Sequence, residues 1–277
     1  MIRTASRYVH AAVDVYAALD DKNLFLVAAG CAFYGILAIF PAMSAVIALW
    51  GLIADAAVVA EQLEQYRAIL PVEVFDLINT QAMQLITADT QTLGWAGVLS
   101  ILVAIWTARA GVAALMRGLN AIYAVPNGAG LGHTVRALFL TAALIGVALV
   151  ALACVVVAPV VLALMPPEVV RAPYLLAALR WGLAVAVLLA GFALVLRIGP
   201  NDSSARPWIS AGAVLATVGW TAASYGFSVY LAQFAQYNEI YGSIGAVIAL
   251  LMWLFLSALL VLLGGALNAA LKPVPAA

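Results

Sequence analysis

Long uncharged apolar stretches, separated by shorter polar ones, dominate the hydrophobic pattern of this chain. In the last of them, YGSIGAVIALLMWLFLSALLVLLGGALNAAL, no charged residue lies between Gly242 and Leu271. At about 1.5 Å of rise per residue this stretch forms about 45 Å of helix, more than the roughly 30 Å hydrocarbon core of a bilayer. The pattern therefore predicts a helix that spans a membrane.

The same pattern recurs along the chain and predicts an all-α, polytopic membrane protein with six transmembrane helices in a single membrane domain, residues 1–277. The predicted ranges are 24–54, 93–123, 135–164, 173–196, 208–234 and 242–271. Pro41 removes a backbone hydrogen bond in the middle of the first helix, so we expect a structural kink there.

Two further segments have the periodicity of amphipathic helices. Residues 1–22 place apolar side chains at helical spacing between polar ones, which predicts a helix on the cytoplasmic membrane surface. Residues 55–92 carry several acidic side chains and one basic side chain, Arg67, and predict an extracytoplasmic helical segment.

The distribution of basic residues predicts the orientation in the membrane, because such residues concentrate on the cytoplasmic side. With the N-terminus in the cytoplasm, most of them flank cytoplasmic helix ends. These are Arg3, Arg7, Lys22, Arg117, Arg136, Arg197, Arg206 and Lys272. We therefore expect both termini in the cytoplasm.

Composition restricts the function classes. The chain is 67% hydrophobic and 9% charged, and its formal net charge is zero, so no overall basic field favours nucleic acid. His10 and His133 have no acidic or cysteine neighbours at metal-ligand spacing. We expect no nucleic-acid partner, no metal, no cofactor and no enzymatic activity.

Arg109 is the main candidate for function, because an ionisable residue within a span is costly. Trp106 precedes it by one helical turn, and Asn120 follows on the same helix face. One hypothesis is a polar stripe on which Arg109 holds an anionic group such as a phosphate. The alternative is an arginine that extends toward the cytoplasmic headgroups or pairs with helix carbonyls.

Two other groups of residues leave alternatives open. Asn268 forms either a helix–helix hydrogen bond or a polar cytoplasmic vestibule with Asn120. The aromatic residues near the outer end of the fifth helix form either an interfacial belt or a mouth for lipid. In that mouth Asn238, Glu239 and Tyr241 are candidates for contact with a polar headgroup.

Four separated motifs resemble the YihY/BrkB family of bacterial inner-membrane proteins. They are AAGCAFYGILAIFPAM (28–43), which contains Tyr34, WTARAGVAALMRGLNAIY (106–123), LRIGPN (196–201) and the final helix, 241–271. The chain departs from the family pattern at Ala38, where serine is usual, and at Ala266, where glutamate is usual. We include Tyr34 among the candidate binding residues.

The resemblance implies a multi-pass protein of the bacterial inner membrane. The family carried a ribonuclease label that is regarded as a misassignment, and some members are linked to movement of lipids or lipopolysaccharide precursors. Three hypotheses follow: a translocator of lipid or another amphiphilic anion, a scaffold that binds an envelope protein through residues 55–92, and a small-solute transporter. Membrane lipids are expected partners, and the sequence leaves homo-oligomer formation open.

Overall fold

The structure is a computed structural model. It describes residues 2–53, 75, 79–80, 90–128, 130–164, 173–202, 207–234 and 243–272. The predicted extracytoplasmic segment 55–92 and the candidate residues Asn238, Glu239 and Tyr241 therefore lie almost wholly outside the described residues.

Seven helices account for nearly all of the described residues, and no strand occurs among them. They are α1 (Ile2–Asp21), α2 (Leu24–Ile53), α3 (Thr90–Ile122), α4 (Leu131–Leu164), α5 (Pro173–Ile198), α6 (Ala211–Phe234) and α7 (Ser243–Ala270). The all-α prediction is confirmed. Helix α2 continues through Pro41, and the predicted kink stays a prediction.

Five of these helices are long and apolar enough to cross a membrane, which supports a polytopic membrane protein. Their spans are Leu24–Ala45, Gly97–Ile122, Leu131–Ala151, Trp181–Ile198 and Gly245–Ala270. Helix α6 has the length of a span but contains more hydroxyl side chains. Thr217 and Thr221 donate to the carbonyls of Ala213 and Thr217 at 2.8 and 2.9 Å, which satisfies both hydroxyls within the helix. A sixth span stays a prediction.

Helices α2 to α7 form a ring in chain order, in which each helix packs on the next and α7 closes the ring on α2. The most extensive contact joins α2 to α3, and α7 also contacts α3. Helix α1 packs against α7 and α2 outside this ring. From α3 onward the connections between helices are short, which places successive helices side by side and antiparallel.

The buried core lies at one end of the ring. It is formed by the start of α2, the ends of α3, α5 and α7, and the start of α6. Its fully or nearly buried side chains are Leu24, Ala28, Leu119, Ala193, Val195, Leu196, Ala213, Val261 and Leu262. We call this end the polar end, because the loops that cover it carry the side-chain hydrogen bonds described below.

Farther from the polar end, side chains of α5 and α7 are exposed, because no other described part of the chain covers them. All six residues from Trp181 to Ala186, well over one helical turn, are exposed. Residues 246–248 and 250–252 of α7 are exposed as well. An apolar surface of this kind is suited to lipid rather than water. The helices are thus packed more closely at the polar end than along these two stretches of α5 and α7.

Helices α6 and α7 approach to backbone contact at Gly212 and Gly264. A Cβ atom added to Gly264 would lie 2.5 Å from the carbonyl oxygen of Gly212, and one added to Gly212 would overlap the carbonyl of Gly264. Small residues permit this approach, which brings the packed backbones into van der Waals contact. The pair holds the start of α6 against the end of α7.

Helix α6 begins at Ala211, later than the predicted start of that span at 208. Ser210 is the reason, because its Oγ accepts a hydrogen bond of 3.2 Å from the backbone N–H of Ala213 and caps the helix. Trp208 precedes the helix, and its ring lies under the guanidinium of Arg197 at 4.2 Å. The remaining predicted ends differ from the observed ones by a few residues.

Candidate functional site

Arg109 lies near the middle of the apolar span Gly97–Ile122 of α3. Its guanidinium carbon lies 5.0 Å from the centre of the Trp106 ring, a cation–π contact. Its Nε atom is buried and has no hydrogen-bond acceptor within the part of the chain that the structure describes. A cation is therefore held in the span by an aromatic face, with hydrogen-bonding capacity left over.

The direction of this side chain follows from helix geometry. Side chains on a helix lean toward its N-terminus, and Arg109 lies over Trp106, which precedes it by one turn. The guanidinium therefore stays at the depth of Trp106 and does not extend toward the polar end. Extension to headgroups at the polar end, one of the two alternatives for this residue, is not the conformation observed.

An exposed stripe on α3 leads to Arg109. Trp95, Leu99, Leu102 and Trp106 are exposed along one side of the helix, with Trp106 67% exposed. Closer to the polar end this side is covered, because Ala113 and Met116 pack against Ala137 and Leu140 of α4. Arg109 thus lies where the cover by α4 begins.

Helix α4 leaves α3 beyond this point. Leu144 still packs near Ala113 and Met116, whereas Ala148, Leu149 and Val150 are all exposed. Gly146 has no atom within 4 Å of the position where a Cβ would lie. The two helices therefore meet at the polar end and leave the exposed stripe open above it.

Tyr34 lies on α2, on the other side of α3. Its Cβ lies 3.4 Å from where a Cβ on Gly111 would be, and the thiol of Cys31 points to the Gly111 carbonyl at 3.6 Å. The Tyr34 ring makes an edge contact with Phe33, 5.6 Å between ring centres. Tyr34 thus packs the α2–α3 seam near the depth of Arg109.

Asn120 is fully buried at the polar end and joins three segments of the chain. Its Oδ1 accepts a hydrogen bond of 2.7 Å from the backbone N–H of Asn201, in the loop between α5 and α6. Its Nδ2 donates to Oδ1 of Asn127 at 3.1 Å, in the loop after α3. Asn120 is therefore a connection between loops, about 16 Å along the helix from Arg109.

Asn201 is the centre of this connection. Arg136 of α4 donates from Nη1 to Oδ1 of Asn201 and from Nη2 to the carbonyl of Pro200, both at 2.7 Å. The Asn201 side chain donates in turn to the carbonyl of Pro126 at 3.1 Å. The loop before α6 is thus tied to α3, α4 and the loop between them.

Asn268 makes a second connection, between α7 and α6. Its Oδ1 accepts from the backbone N–H of Gly212 at 2.8 Å, and its Nδ2 donates to Oγ of Ser210 at 2.8 Å. The first N–H groups of a helix have no partner within that helix, so Asn268 and Ser210 together cap α6. Lys272 pairs with Asp202 at 2.8 Å on the same loop.

The structure therefore separates the predicted site residues. Arg109 and Trp106 lie together, whereas the amides of Asn120 and Asn268 are engaged at the polar end by loops. Arg136, Asn201 and Ser210 were not predicted as partners of these asparagines. The signal available for Ser210 was its place just before an apolar helix, which is typical of an N-cap.

Within the described ranges, no three histidine, cysteine, aspartate or glutamate side chains stand close enough to hold a metal ion. The two cysteines, Cys31 and Cys154, are free thiols. At Arg109 the chain offers a planar cation with an unused Nε donor, beside an aromatic ring and at the end of an open apolar stripe.

Comparison with known proteins gives a consistent result. A sequence model of the family described as virulence factor BrkB matches residues 15–275. The ribonuclease-like protein YfkH of Bacillus subtilis is 34% identical over 220 residues, covering 74% of this chain and 80% of YfkH. A UPF0761 membrane protein of Pseudoalteromonas translucida is 30% identical over 100 residues, covering 36% of this chain and 32% of that relative.

A UPF0761 membrane protein of Xanthomonas campestris is 35% identical over 98 residues, covering 35% of this chain and 23% of the relative. No solved structure matches the chain. The family match extends over nearly the whole chain and agrees with the helical, membrane-spanning architecture. The chain therefore belongs to the virulence factor BrkB family of membrane proteins.

Proposed function

We propose that this protein binds the anionic headgroup of a phospholipid, or of a similar amphiphile, inside the bacterial inner membrane and moves it between the leaflets. Arg109 is the residue on which this proposal depends. A charge at the centre of a span costs about 2.5–3.5 kcal/mol on insertion scales. A guanidinium whose Nε lacks an acceptor in the described residues recovers none of that cost through this atom.

The surroundings of Arg109 favour an amphiphile over a small soluble anion. The stripe from Trp95 to Trp106 is apolar and exposed, so the acyl chains of a lipid can lie along it while the headgroup meets the guanidinium. Arginine suits this role because its planar donors match the oxygens of a phosphate group. Trp106 holds the guanidinium in place without neutralising its charge.

The proposal is tested by leaflet exchange. The full-length protein is reconstituted into liposomes of phosphatidylethanolamine and phosphatidylglycerol that contain a trace of fluorescent phosphatidylglycerol. A membrane-impermeant quencher removes outer-leaflet fluorescence, and continued loss reports exchange. We expect exchange above that of protein-free liposomes, and we expect Arg109→Gln to abolish it.

Lys22→Gln is the matched control, because it removes an exposed cation in the turn between α1 and α2. Its exchange should equal that of the unaltered protein. Folded protein without exchange would refute the proposal and favour the hypothesis of a scaffold for envelope proteins. Exchange that persists unchanged in Arg109→Gln would retain lipid movement but refute the assignment of Arg109.

A further inference from the structure

The exposed stripe on α3 continues past Arg109 toward the polar end. Alternating steps of three and four residues place these side chains on one face of the helix: Trp106, Arg109, Ala113, Met116 and Asn120. Trp106 is 67% exposed, whereas the three residues that follow Arg109 on this face are at most 2% exposed. The face that carries Arg109 therefore has an open half before this residue and a covered half after it.

Helix α4 is the cover of the second half. Its residues Ala137 and Leu140 pack with Ala113 and Met116 of α3. On the α3 side, alanine is short and methionine is flexible enough to fit more than one neighbour. This contact can separate and form again without an aromatic or β-branched side chain of α3 having to leave a tightly fitted position.

Helix α3 is held more extensively than α4. Among the described residues, the contact between α2 and α3 is the most extensive, and the contact between α3 and α4 is much smaller. Beyond Leu144 the two helices part, and Gly146 of α4 has no atom within 4 Å of the position where a Cβ would lie. Because α3 is fixed on α2, the helix that can move to uncover the stripe is α4.

Arg136 fastens the start of α4. Its guanidinium donates to Oδ1 of Asn201 and to the carbonyl of Pro200, both at 2.7 Å. Both acceptors are neutral and lie in the loop between α5 and α6, to which Asn120 at the covered end of the stripe is also bonded. These bonds hold α4 over the stripe, and they can break without separating a buried ion pair.

His133, one turn before Arg136, opposes this closed arrangement. Its Nε2 atom is buried and has no hydrogen-bond partner in the described residues. A Cβ added to Gly128, in the loop between α3 and α4, would lie 3.6 Å from Cδ2 of His133 and 3.2 Å from Nδ2 of Asn201, so the ring is packed into the same cluster. A buried polar atom without a partner costs free energy, and movement of α4 that admits water to the ring recovers it.

We propose that α4 is a gate at the polar end. It moves away from Ala113 and Met116 when the hydrogen bonds of Arg136 break, and the anionic headgroup then passes along the uncovered stripe from Arg109 to the membrane surface at the polar end. This inference rests on the proposed function. The structure is the closed state of the gate, in which Arg109 is reached from the open half of the stripe.

A crosslink that holds α4 on α3 tests the gate. In protein whose natural cysteines are replaced (Cys31→Ala and Cys154→Ala), Ala113→Cys and Ala137→Cys are joined by a disulfide or by a short bifunctional methanethiosulfonate. We expect exchange of fluorescent phosphatidylglycerol to fall to the level of protein-free liposomes. Dithiothreitol reverses both crosslinks and should restore exchange. Equal exchange in the joined and reduced forms would overturn the gate.

Val27→Cys with Gly118→Cys is the matched control, because it joins α3 to α2 in the same background. A Cβ on Gly118 would lie 3.5 Å from the Cβ of Val27, which suits a disulfide. This crosslink should leave exchange unchanged, since α2 and α3 stay together in the proposed movement. Loss of exchange in both crosslinked proteins would overturn the assignment of the movement to α4.

A second measurement follows the gate without lipid exchange. Ala137 is buried at the α3–α4 contact, so Ala137→Cys reports opening by its rate of reaction with a membrane-impermeant maleimide in nanodiscs. Arg136→Gln should raise this rate at least about tenfold, because charge-assisted hydrogen bonds are lost. His133→Phe, which keeps a ring but removes the unpartnered nitrogen, should lower it.

Lys272→Gln is the control for these variants, because Lys272 ties the same loop through Asp202 but lies after α7 and not on α4. Its reaction rate should equal that of the parent protein. An unchanged rate in Arg136→Gln would overturn the fastening role of this residue. A rate raised equally by Arg136→Gln and Lys272→Gln would attribute opening to the loop and overturn the specific role of α4.

The outcomes separate the two proposals. No exchange by the natural protein overturns the proposed function and this inference with it. Exchange by the natural protein that persists when α4 is crosslinked to α3 overturns the inference alone.

Discussion

Asn268 in α7 accepts a hydrogen bond of 2.8 Å from the backbone N–H of Gly212 in the first turn of α6. The same amide donates to Ser210, which itself caps the helix. A side chain from the last helix thus completes the start of the preceding one. This relationship is the helix–helix hydrogen bond that was one of the two hypotheses for Asn268, and Arg109 is the main candidate for binding.

Asn268→Ala should lower the free energy of unfolding by about 1–2 kcal/mol, because it removes a helix cap and leaves the N–H of Gly212 without this partner. Asn268→Asp should cost less, since a carboxylate still accepts at a helix N-terminus. Thermal unfolding in detergent, followed by size-exclusion chromatography, measures both. Equal losses in the two variants would contradict the capping role of Oδ1.

Asn120→Ala should cost about 1–3 kcal/mol, because the side chain is fully buried and the N–H of Asn201 loses its acceptor. Asn127→Ala is the matched comparison, since it removes a partner of the same amide from an exposed position. Its loss should be smaller. The same thermal assay tests both, and a larger loss in Asn127→Ala would refute the central role of Asn120.

Gly264→Ala should destabilise the protein by about 1–3 kcal/mol, because the added methyl group meets the carbonyl of Gly212 and forces α6 and α7 apart. Gly226→Ala, in α6 with open space around it, is the control. That change should be neutral or stabilising by about 0.5–1 kcal/mol, since alanine favours a helix. Thermal unfolding of the two variants in detergent, measured in parallel, separates the steric effect at the α6–α7 contact from the effect of the helix propensity of alanine.

Trp106→Leu should weaken retention of anionic lipid about two- to fivefold, because the Arg109 guanidinium loses a cation–π contact worth about 0.5–1 kcal/mol. Native mass spectrometry of protein mixed with phosphatidylglycerol measures retention. Trp95→Leu is the control, since Trp95 is exposed on the same stripe and lies well over 10 Å along the helix from Arg109. An equal loss in both variants would attribute the effect to apolar area alone.

Both termini are proposed to lie in the cytoplasm, with the polar end on that side. A fluorescent protein that matures only in the cytoplasm, fused after residue 277, should therefore fluoresce in intact cells. A fusion of alkaline phosphatase at the same position should be inactive. The reverse pattern would contradict this orientation. It would place the polar end on the extracytoplasmic side of the membrane.

The sequence by itself determined the class of fold. Uncharged stretches such as 242–271 can satisfy their backbone in a bilayer only as helices, so the number of residues and their apolarity are sufficient to predict the element. The sequence also identified Arg109 as an energetically costly charge inside a span and placed Trp106 one turn before it. Both predictions were possible because the two residues lie in the same helix.

Only the tertiary structure decided what Asn120, Asn201 and Asn268 do. Apart from Asn127, seven residues after Asn120, their side-chain hydrogen-bond partners lie 56 to 81 residues away in the chain. An asparagine has the same local sequence pattern whether it faces a ligand or a loop. The periodicity of the sequence shows which residues share a face of a helix. Which other helix or loop that face contacts depends on how the helices pack into the ring.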